Sequence, residues 1–443
     1  MCLEIEVSNR KSVKLIYYES KKDIISLYKK LYGCDHLDNS LKTILEAIED
    51  NKEELIEFCR EIVKIPSYSG QEEAVAKAIA KWMHEFEFDN VMKDELGSVV
   101  GCIEGNVGND HLLLFDAHMD HVDVGRRDVW DCEPFGAIIK DNAIYGRGVV
   151  DMKGALASQI FALGMIRRYG ITPPTDLCMA AVVFEELNEG LAVKHIIENI
   201  GLSPNCVILG EPSNLNLSIG QRGRAEIEIV TKGKTSHGSM PELGKNAIYP
   251  MTLIINEIKK LNEKLPSHPF LGKGSVTIID ISSSPGGNVV PDTCRIVVDR
   301  RIIPSETEEV VINEMHDIIN VVREQISDLE ASVSIIDEPV QFFTKKTLVD
   351  HKYFPTWYFE PSTPLIQKAK EILEKSVGQQ VEIIKWLFST DGVYTAGTAN
   401  LPTIGFGPGE EEQAHTPNEH LAIDQLIKSA KGYAALALEL FKK

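Results

Sequence analysis

Short runs of apolar residues alternate along the chain with segments in which apolar residues recur at helical spacing. The runs at residues 112–115, 177–184 and 206–209 are apolar throughout, which is typical of strands buried on both faces. Residues 41–64 carry apolar side chains at the spacing of one long amphipathic helix, and a helix rich in small residues begins near Gly154. This alternation predicts an α/β domain in which a mixed, mostly parallel sheet lies between helices.

The pattern changes from about residue 219. Apolar and acidic residues alternate with period two over residues 225–230, which predicts an antiparallel strand with one face in water. Further strands are predicted over residues 274–281 and 293–301, and helices over residues 247–265 and 306–328. Two helices against a four-stranded antiparallel sheet form a separate α+β domain, which is inserted into the first domain because the α/β pattern resumes after it.

A chain of 443 residues is too long for one compact core, so we expect two domains and a small addition. We predict an N-terminal extension over residues 1–40 that packs on the main domain, a catalytic domain formed by residues 41–218 and 336–443, and an inserted domain over residues 219–335. Ser69 is a candidate N-cap for a second helix of the catalytic domain.

Charge and cysteine content narrow the classes of partner. The net charge of −20 disfavours nucleic acid and anionic membranes as partners. No apolar run approaches the ~18–20 residues of a membrane span, and the first residues contain no apolar signal-peptide core. The eight cysteines are scattered without a Cys-x-x-Cys pair, so we interpret them as reduced thiols, mostly in the core, of a cytoplasmic protein.

Residues suited to metal binding follow the predicted strands where each strand ends. His118 and Asp120 follow the first apolar run, Glu185 and Glu186 follow the second, and Glu211 follows the third. Alone, a His-x-Asp pair is more often structural, and two adjacent glutamates at a strand end are also explained as a solvated pair. Their recurrence at three strand ends indicates a site, because ligands of open α/β sheets bind at the carboxyl ends of the strands.

Two more candidates lie further along the chain. Asp151 stands at the entrance of the helix near Gly154, where an N-cap role explains it equally well, and His415 follows a later predicted strand. Two imidazoles and three carboxylates suit two divalent metals of the zinc, cobalt or manganese type: His118, Asp151, Glu186, Glu211 and His415. The spare carboxylate of Glu185 can then act as a general base, which implies hydrolysis of an amide by a water shared between the metals.

These motifs occur in the same order, over residues 41–443, as in the M20 metallopeptidases, and the chain resembles that family. The family includes glutamate carboxypeptidase, acetylornithine deacetylase and succinyl-diaminopimelate desuccinylase. The resemblance implies one role for each residue: ligands of one metal for His118 and Glu211, ligands of the other for Glu186 and His415, a bridging carboxylate for Asp151, the general base for Glu185, and an acid that orients His118 for Asp120. Two divalent ions are expected, with zinc preferred and cobalt or manganese as alternatives.

The inserted domain resembles the lid of that family, which is also its dimerisation domain. The resemblance makes His237 the lid histidine that crosses a dimer to stabilise the oxyanion, and it makes Asn288 a substrate contact. It places Arg301 at the substrate carboxylate, whereas Arg300 faces the other side of the strand. Without the family, His237 is a loop histidine and either arginine is a surface residue of a sheet.

One segment departs from the family pattern. Many members carry Gly-Gly-Thr-Ser-Asp where this chain has Phe388-Ser-Thr-Asp-Gly392, so Thr390 and Asp391 still line the predicted pocket beside a bulky Phe388. We therefore expect a substrate pocket that is smaller than in those members, or one that is shaped for a different acyl group. These features are most similar to the YgeY-type subgroup, which is linked by name to selenium metabolism.

The sequence therefore predicts a metal-dependent hydrolase of a small amino-acid derivative, either a dipeptide or an N-acyl amino acid, that works as a homodimer joined through the lid. Dipeptidase and deacylase are not separated by the sequence, and a carbamoyl (ureido) amino acid would serve the same water attack. A non-catalytic dimeric scaffold that binds metal is the alternative of a different class. It is disfavoured because Glu185 is present together with all five predicted ligands.

Overall fold

The computed structural model describes residues 3–8, 12–17, 37–106, 111–284 and 286–442. Strands β1 (Leu3–Ser8) and β2 (Ser12–Tyr17) pair as an antiparallel hairpin. The predicted packing of the N-terminal extension on the main domain lies outside what is described.

The helices fall largely where apolar residues have helical spacing. They are α1 (Leu37–Asp50), α2 (Lys52–Val63), α3 (Glu73–Glu85), α4 (Gly154–Arg168), α5 (Leu191–His195), α6 (Ile248–Lys264), α7 (Glu308–Arg323), α8 (Pro364–Val377) and α9 (Ile423–Glu439). The prediction of a single helix over residues 41–64 is wrong, because the helix is interrupted at Asn51. The Asn51 side chain donates to the carbonyl of Ala47 (2.8 Å), and its backbone leaves the helical region at φ −111° and ψ 20°.

The remaining strands follow in chain order. They are β3 (Asn90–Lys93), β4 (Val99–Ile103), β5 (Leu112–His118), β6 (Ile138–Lys140), β7 (Ala143–Tyr145), β8 (Asp176–Val182), β9 (Cys206–Leu209), β10 (Leu217–Gln221), β11 (Gly223–Lys232), β12 (Ser267–His268), β13 (Gly272–Lys273), β14 (Ser275–Ser283), β15 (Thr293–Ile302), β16 (Glu330–Ile335), β17 (Asp337–Gln341), β18 (Thr347–His351), β19 (Tyr353–Phe354), β20 (Trp357–Tyr358), β21 (Ile383–Trp386), β22 (Thr403–Gly405) and β23 (His420–Ala422).

The central sheet has the order β20-β10-β22-β9-β5-β8-β4-β3, with β21 beside β10. Its middle strands β22, β9, β5 and β8 are parallel, while β3, β4 and β20 pair antiparallel with their neighbours. This mixed sheet, with a parallel centre between helices, confirms the predicted fold class. Since β5, β8 and β9 point the same way, their carboxyl ends meet at one edge, where His118, Glu185 and Glu211 follow.

A second sheet has the order β14-β15-β11-β16, with the short β19 beside β11. Burial alternates along β11, as the period-two pattern predicts. Helices α6 and α7 pack on this sheet in a separate hydrophobic cluster whose buried members lie between Ala225 and Ile335. The limits of the inserted domain, residues 219 and 335, stay a prediction.

The chain enters and leaves this second sheet through paired strands. β11 pairs with β19 through Arg224 opposite Phe354, and β10 pairs with β20 through Gln221 opposite Trp357. The outgoing and returning segments are therefore hydrogen-bonded neighbours on both sides of the boundary.

One segment of the described residues, Val149–Arg168, is long and apolar enough to span a bilayer. Its most apolar window is entirely buried within the protein, and from Gly154 onward the segment forms the core helix α4. The interpretation of the cysteines as reduced thiols is wrong for one pair: Cys102 on β4 and Cys178 on β8 form a disulfide with a Cα–Cα distance of 4.1 Å. The two residues are directly opposite in the antiparallel register. The predicted cytoplasmic location stays a prediction.

Candidate metal centre

Side chains from two other strand ends and one turn converge on His118. Its Nε2 atom lies 2.9 Å from Asp151 Oδ1, 3.7 Å from Glu211 Oε1 and 3.8 Å from Glu185 Oε2. Asp151 belongs to an irregular turn, Val149–Lys153, that precedes α4. The parallel strands thus bring together residues that are up to 93 positions apart in the sequence.

The second histidine closes the other side of the cluster. His415 Nε2 lies 3.0 Å from Asp151 Oδ2 and 3.0 Å from Glu186 Oε2. Asp151 therefore presents one oxygen to each histidine, which is the arrangement expected of a bridging carboxylate. The His118 side is buried, whereas the side chain of His415 is 50% exposed.

The donor set fits divalent metal ions. Ligand atoms of His118, Glu185 and Glu211 lie within 4.8 Å of one another, and so do those of His118, Asp151 and Glu186. Imidazole nitrogens together with carboxylates are preferred by zinc and related ions. In addition, Glu185 Oε1 is buried without a hydrogen-bond partner, which is costly for a carboxylate that faces only protein.

The electrostatics of the cluster lead to the same conclusion. Burial, together with the charge of Asp151, raises the pKa of Glu186 to about 7. Burial is also the main cause that raises the pKa values of Glu185 and Glu211 well above the ordinary range, and the charge of Glu211 adds to the effect at Glu185. Crowded carboxylates of this kind need a cation if they are to remain ionised together.

The pKa values of the two histidines are raised as well, but for a histidine this favours the charged form. Hydrogen bonds to Asp151 and Glu186 raise the pKa of His415 to about 10. Burial alone lowers the pKa of His118, but the hydrogen bond to Asp151 and the charges of Glu185 and Glu211 raise it well above its ordinary value. Without metal, both imidazoles therefore hold a proton more tightly than an ordinary histidine does.

We expect metal binding to the metal-free protein to release protons, because a histidine ligand must be neutral. The pKa of His415 is raised, so its proton is held until the pH passes about 10, and the affinity for a divalent ion should rise with pH up to that point. Titration calorimetry in buffers of different ionisation enthalpy measures the protons released. An affinity that stays constant from about pH 6 to pH 9 would contradict this expectation.

Asp120 holds the backbone that carries the two glutamates. Its Oδ1 accepts from the amide of Glu185 (3.1 Å), and its Oδ2 accepts from the amide of Glu186 (3.2 Å) and from Ser69 Oγ (2.6 Å). His118 Nδ1 lies 3.0 Å from the backbone carbonyl of Asp120 and 3.7 Å from its carboxylate. The N-cap predicted at Ser69 is therefore wrong, because α3 has Glu72 as its N-cap residue and Ser69 supports Asp120.

The residues predicted in the inserted domain lie on its surface. His237 is exposed, its Nδ1 lies 2.7 Å from Ser239 Oγ, and its backbone pairs with Val289. Asn288 is also exposed, and Arg301 donates through Nε to Asp299 Oδ1 (2.8 Å). No described hydrogen bond or ion pair joins these side chains to the metal centre, so their roles stay predictions.

Arg300, which is set aside in favour of Arg301, and the two remaining predicted substrate contacts are buried and already paired. Arg300 is fully buried and pairs with Glu306 and Glu314, in agreement with the view that Arg300 and Arg301 face opposite sides. Thr390 is buried and donates to Gln221 Oε1 (2.7 Å). Asp391 is buried and accepts from the amide of Gly190 (2.6 Å).

Sequence reasoning gave no role to three buried carboxylates near the centre. Glu72 accepts from the amide of Phe184 (3.0 Å), the residue before Glu185. Asp116 on β5 lies beside Asp391, whose charge, after burial, raises its pKa well above the ordinary range. Glu419 contacts the turn that carries Asp151. Only Glu419 had a usable signal, because it closes the motif that begins at Ala414 and contains His415.

Comparison with known proteins identifies the family of this chain. Residues 114–439 match the model of peptidase family M20/M25/M40. The uncharacterized protein YgeY of Escherichia coli K12 is 35% identical over 398 residues, which cover 90% of this chain and 97% of YgeY. The N-formyl-4-amino-5-aminomethyl-2-methylpyrimidine deformylase of Bacillus subtilis is 27% identical over 422 residues, which cover 89% of this chain and 96% of the deformylase.

The fold agrees with a solved structure as well. The YXEP protein of Bacillus subtilis, described as a dinuclear metal-binding peptidase from the M20 family, superposes with a TM-score of 0.66 at 16% identity. The match covers 88% of this chain and 98% of that chain. The predicted resemblance, including the similarity to YgeY, is confirmed, and the chain belongs to peptidase family M20/M25/M40.

Proposed function

We propose that this protein hydrolyses the amide bond of a small amino-acid derivative, a dipeptide or an N-acyl amino acid, with Glu185 as the general base. The observation that carries the proposal is the position of the Glu185 carboxylate. It is buried, its Oε1 has no hydrogen-bond partner, and its Oε2 lies 3.8 Å from the histidine at the centre of the predicted ligands.

Five side chains would hold two divalent ions, which we propose to be zinc: His118, Asp151, Glu186, Glu211 and His415. Such ions, when bound, polarise a carbonyl oxygen and lower the pKa of a water molecule. Glu185 then accepts a proton from the attacking water, whose oxygen bonds to the carbonyl carbon, and returns that proton to the amine as the C–N bond breaks. The positive charge of bound ions would keep Glu185 ionised, as a general base must be.

The substrate class is proposed from chemistry shared by the relatives. One relative is named as a deformylase and one structural neighbour as a peptidase, so the same framework serves both N-acyl and peptide amides. Asn288 and Arg301 are the proposed substrate contacts, and His237 is the proposed oxyanion donor. A carbamoyl amino acid is the second candidate, because the same attack on a carbonyl carbon releases its amine.

We also propose that two copies assemble through the inserted domain. β14 lies at the edge of the second sheet, and its outward residues Ile279 and Ile281 are each 56% exposed. An edge strand with exposed isoleucines is a surface that a second chain can cover. Sedimentation equilibrium that finds only a species of 49.3 kDa would contradict the dimer.

The test is an amine-release screen with protein reconstituted in Zn²⁺, Co²⁺ or Mn²⁺. The panel contains dipeptides and N-formyl, N-acetyl, N-succinyl and N-carbamoyl amino acids, and the controls are metal-stripped protein and Glu185→Gln. Release that needs metal and is lost in the variant supports the proposal and identifies the acyl group. Release that is equal in the variant removes Glu185 as the base. Silence across the panel with metal bound favours first a substrate outside the panel and then the scaffold alternative.

A further inference from the structure

A buried carboxylate that is outside the predicted ligand set lies behind Asp151. Glu419 is 0% exposed, and its Oε1 accepts from the amides of Val150 (2.8 Å) and Asp151 (3.3 Å). Its Oε2 accepts from the amide of Gly148 (3.1 Å) and from Arg147 Nη1 (2.6 Å). Two oxygens of one side chain thus serve four donors of the segment that ends at Asp151.

This segment needs an acceptor from elsewhere in the chain. Gly148 has φ +81°, and Asp151 has φ −119° and ψ 93°, so the turn is not a regular helix whose own carbonyls would bind these amides. The turn is buried throughout, and a buried amide without a partner is costly. The carboxylate supplies charge-assisted hydrogen bonds, which are stronger than those to a neutral acceptor.

The same side chain links the two halves of the metal centre. Glu419 lies four residues after His415, and its backbone carbonyl accepts from the amide of Gly146 (3.0 Å). Strand β23, which begins at His420, pairs with β7 just before this turn. The segment that carries His415 is therefore bonded to the segment that carries Asp151, and His415 Nε2 meets Asp151 Oδ2 at 3.0 Å.

Arg147 balances the negative charge of Glu419 beside the crowded carboxylates of the metal centre. Its guanidinium is buried against Glu419 and lies over the ring of Trp130, 5.2 Å from the ring centroid. The positive charge offsets that of Glu419, so the carboxylate binds the amides without adding uncompensated negative charge beside Asp151. No described hydrogen bond or ion pair joins either side chain to the side chains of the predicted ligands.

We propose that Glu419 is a positioning residue that fixes Asp151 between His118 and His415 through the backbone of residues 148–151. The role of Asp151 as the bridging ligand rests on the proposed function, whereas the positioning itself is a property of the metal-free chain. A glutamine at position 419 carries an NH₂ group in place of one carboxylate oxygen, and this group cannot accept a hydrogen bond. Some of the four donors would then lack an acceptor, and the turn would be held less firmly.

The experiment compares Glu419→Gln with a matched control in the full chain. Glu306→Gln removes another buried carboxylate that pairs with an arginine, Arg300, and accepts from a backbone amide, that of Ile303 (2.8 Å), but it does so in the second sheet. Two readouts are used. Hydrogen exchange of the amides of residues 148–151 is measured on metal-free protein, and Co²⁺ affinity is measured together with the ligand-field absorption spectrum.

In Glu419→Gln we expect exchange at residues 148–151 to be about tenfold faster, Co²⁺ affinity to fall about tenfold or more, and the Co²⁺ spectrum to change. Glu306→Gln should leave all three as in the wild type, and Glu419→Asp, which keeps the charge, should recover part of the loss. Wild-type exchange and spectrum in Glu419→Gln would overturn the proposal.

The design separates this inference from the proposed function. If the wild type binds no Co²⁺, the proposed function fails, while the exchange measurement on metal-free protein still decides the positioning. If Glu419→Gln does not fold, Glu419→Asp carries the same comparison: unchanged exchange and Co²⁺ affinity in that variant would overturn the proposal, and a smaller loss of the same kind would support it.

Discussion

Replacing Glu185 by glutamine is expected to reduce kcat by about 10²–10⁴-fold while the fold and the bound metal are retained. Glutamine has nearly the same size and cannot accept a proton from water. It also removes a carboxyl group whose ionised form is disfavoured by burial and by the charges of Glu211 and Asp391, which together raise its pKa. The metal-free variant should therefore unfold at the same temperature as the wild type or at a higher one.

The measurement combines kcat on the substrate from the screen, metal content by elemental analysis and thermal unfolding. The same measurement tests whether Glu185 is instead a metal ligand, because it lies close enough to His118 and Glu211 to share an ion with them. Loss of metal together with activity would make Glu185 a ligand. Retained metal with lost turnover assigns it as the base, and wild-type turnover excludes both roles. Glu410→Gln, on the exposed surface, is the control.

Replacing Asp120 by alanine is expected to lower metal affinity by about 10–100-fold and to destabilise the protein by on the order of 3 kcal/mol. The carboxylate is fully buried and satisfies three donors: the amides of Glu185 and Glu186, and Ser69 Oγ. Its removal leaves all three without that acceptor and frees the backbone that carries the base and one ligand.

Ser69→Ala is the matched control for Asp120, because it removes one of the three donors and leaves the carboxylate in place. Its expected cost is about 1 kcal/mol with metal affinity close to the wild type. Thermal or denaturant unfolding of metal-free protein and equilibrium dialysis with Zn²⁺ measure the two effects separately. Equal metal affinity in Asp120→Ala and the wild type would show that the backbone of the two glutamates does not depend on this carboxylate.

The sequence predicts those parts of the site that are marked by a local pattern of residues. The apolar runs of β5, β8 and β9 are local, so the strand ends carrying His118, Glu186 and Glu211 could be found from them. The signals for Asp151 and His415 are weaker, because Asp151 stands at a helix entrance and His415 follows the end of β22 only after ten residues. Both are candidates from the sequence, but their separate roles as bridging carboxylate and as ligand of one metal come only from the resemblance to the family.

Contacts between distant segments were not predictable in this way. Glu419 meets Asp151 across 268 positions, and Cys102 faces Cys178 across 76, yet neither pairing leaves a periodic pattern. The break at Asn51 was missed because apolar spacing continues through it, while a single side chain bonding to Ala47 ends the helix. The burial of Thr390 was also hidden, since a polar residue gives no sign of whether its partner is substrate or Gln221.

The paired strands at the boundary of the second sheet bear on how such a chain can evolve. Gln221 is opposite Trp357 in the central sheet and Arg224 is opposite Phe354 at the border of the second sheet, so the outgoing and returning segments are bonded to each other at the boundary. Ile227 and Ile335 are also opposite each other, and the residues between them form their own hydrophobic cluster, so this part of the chain is a cassette whose two ends lie side by side. Such a cassette can be shortened, enlarged or exchanged between relatives while the central sheet and its metal-binding edge keep their register.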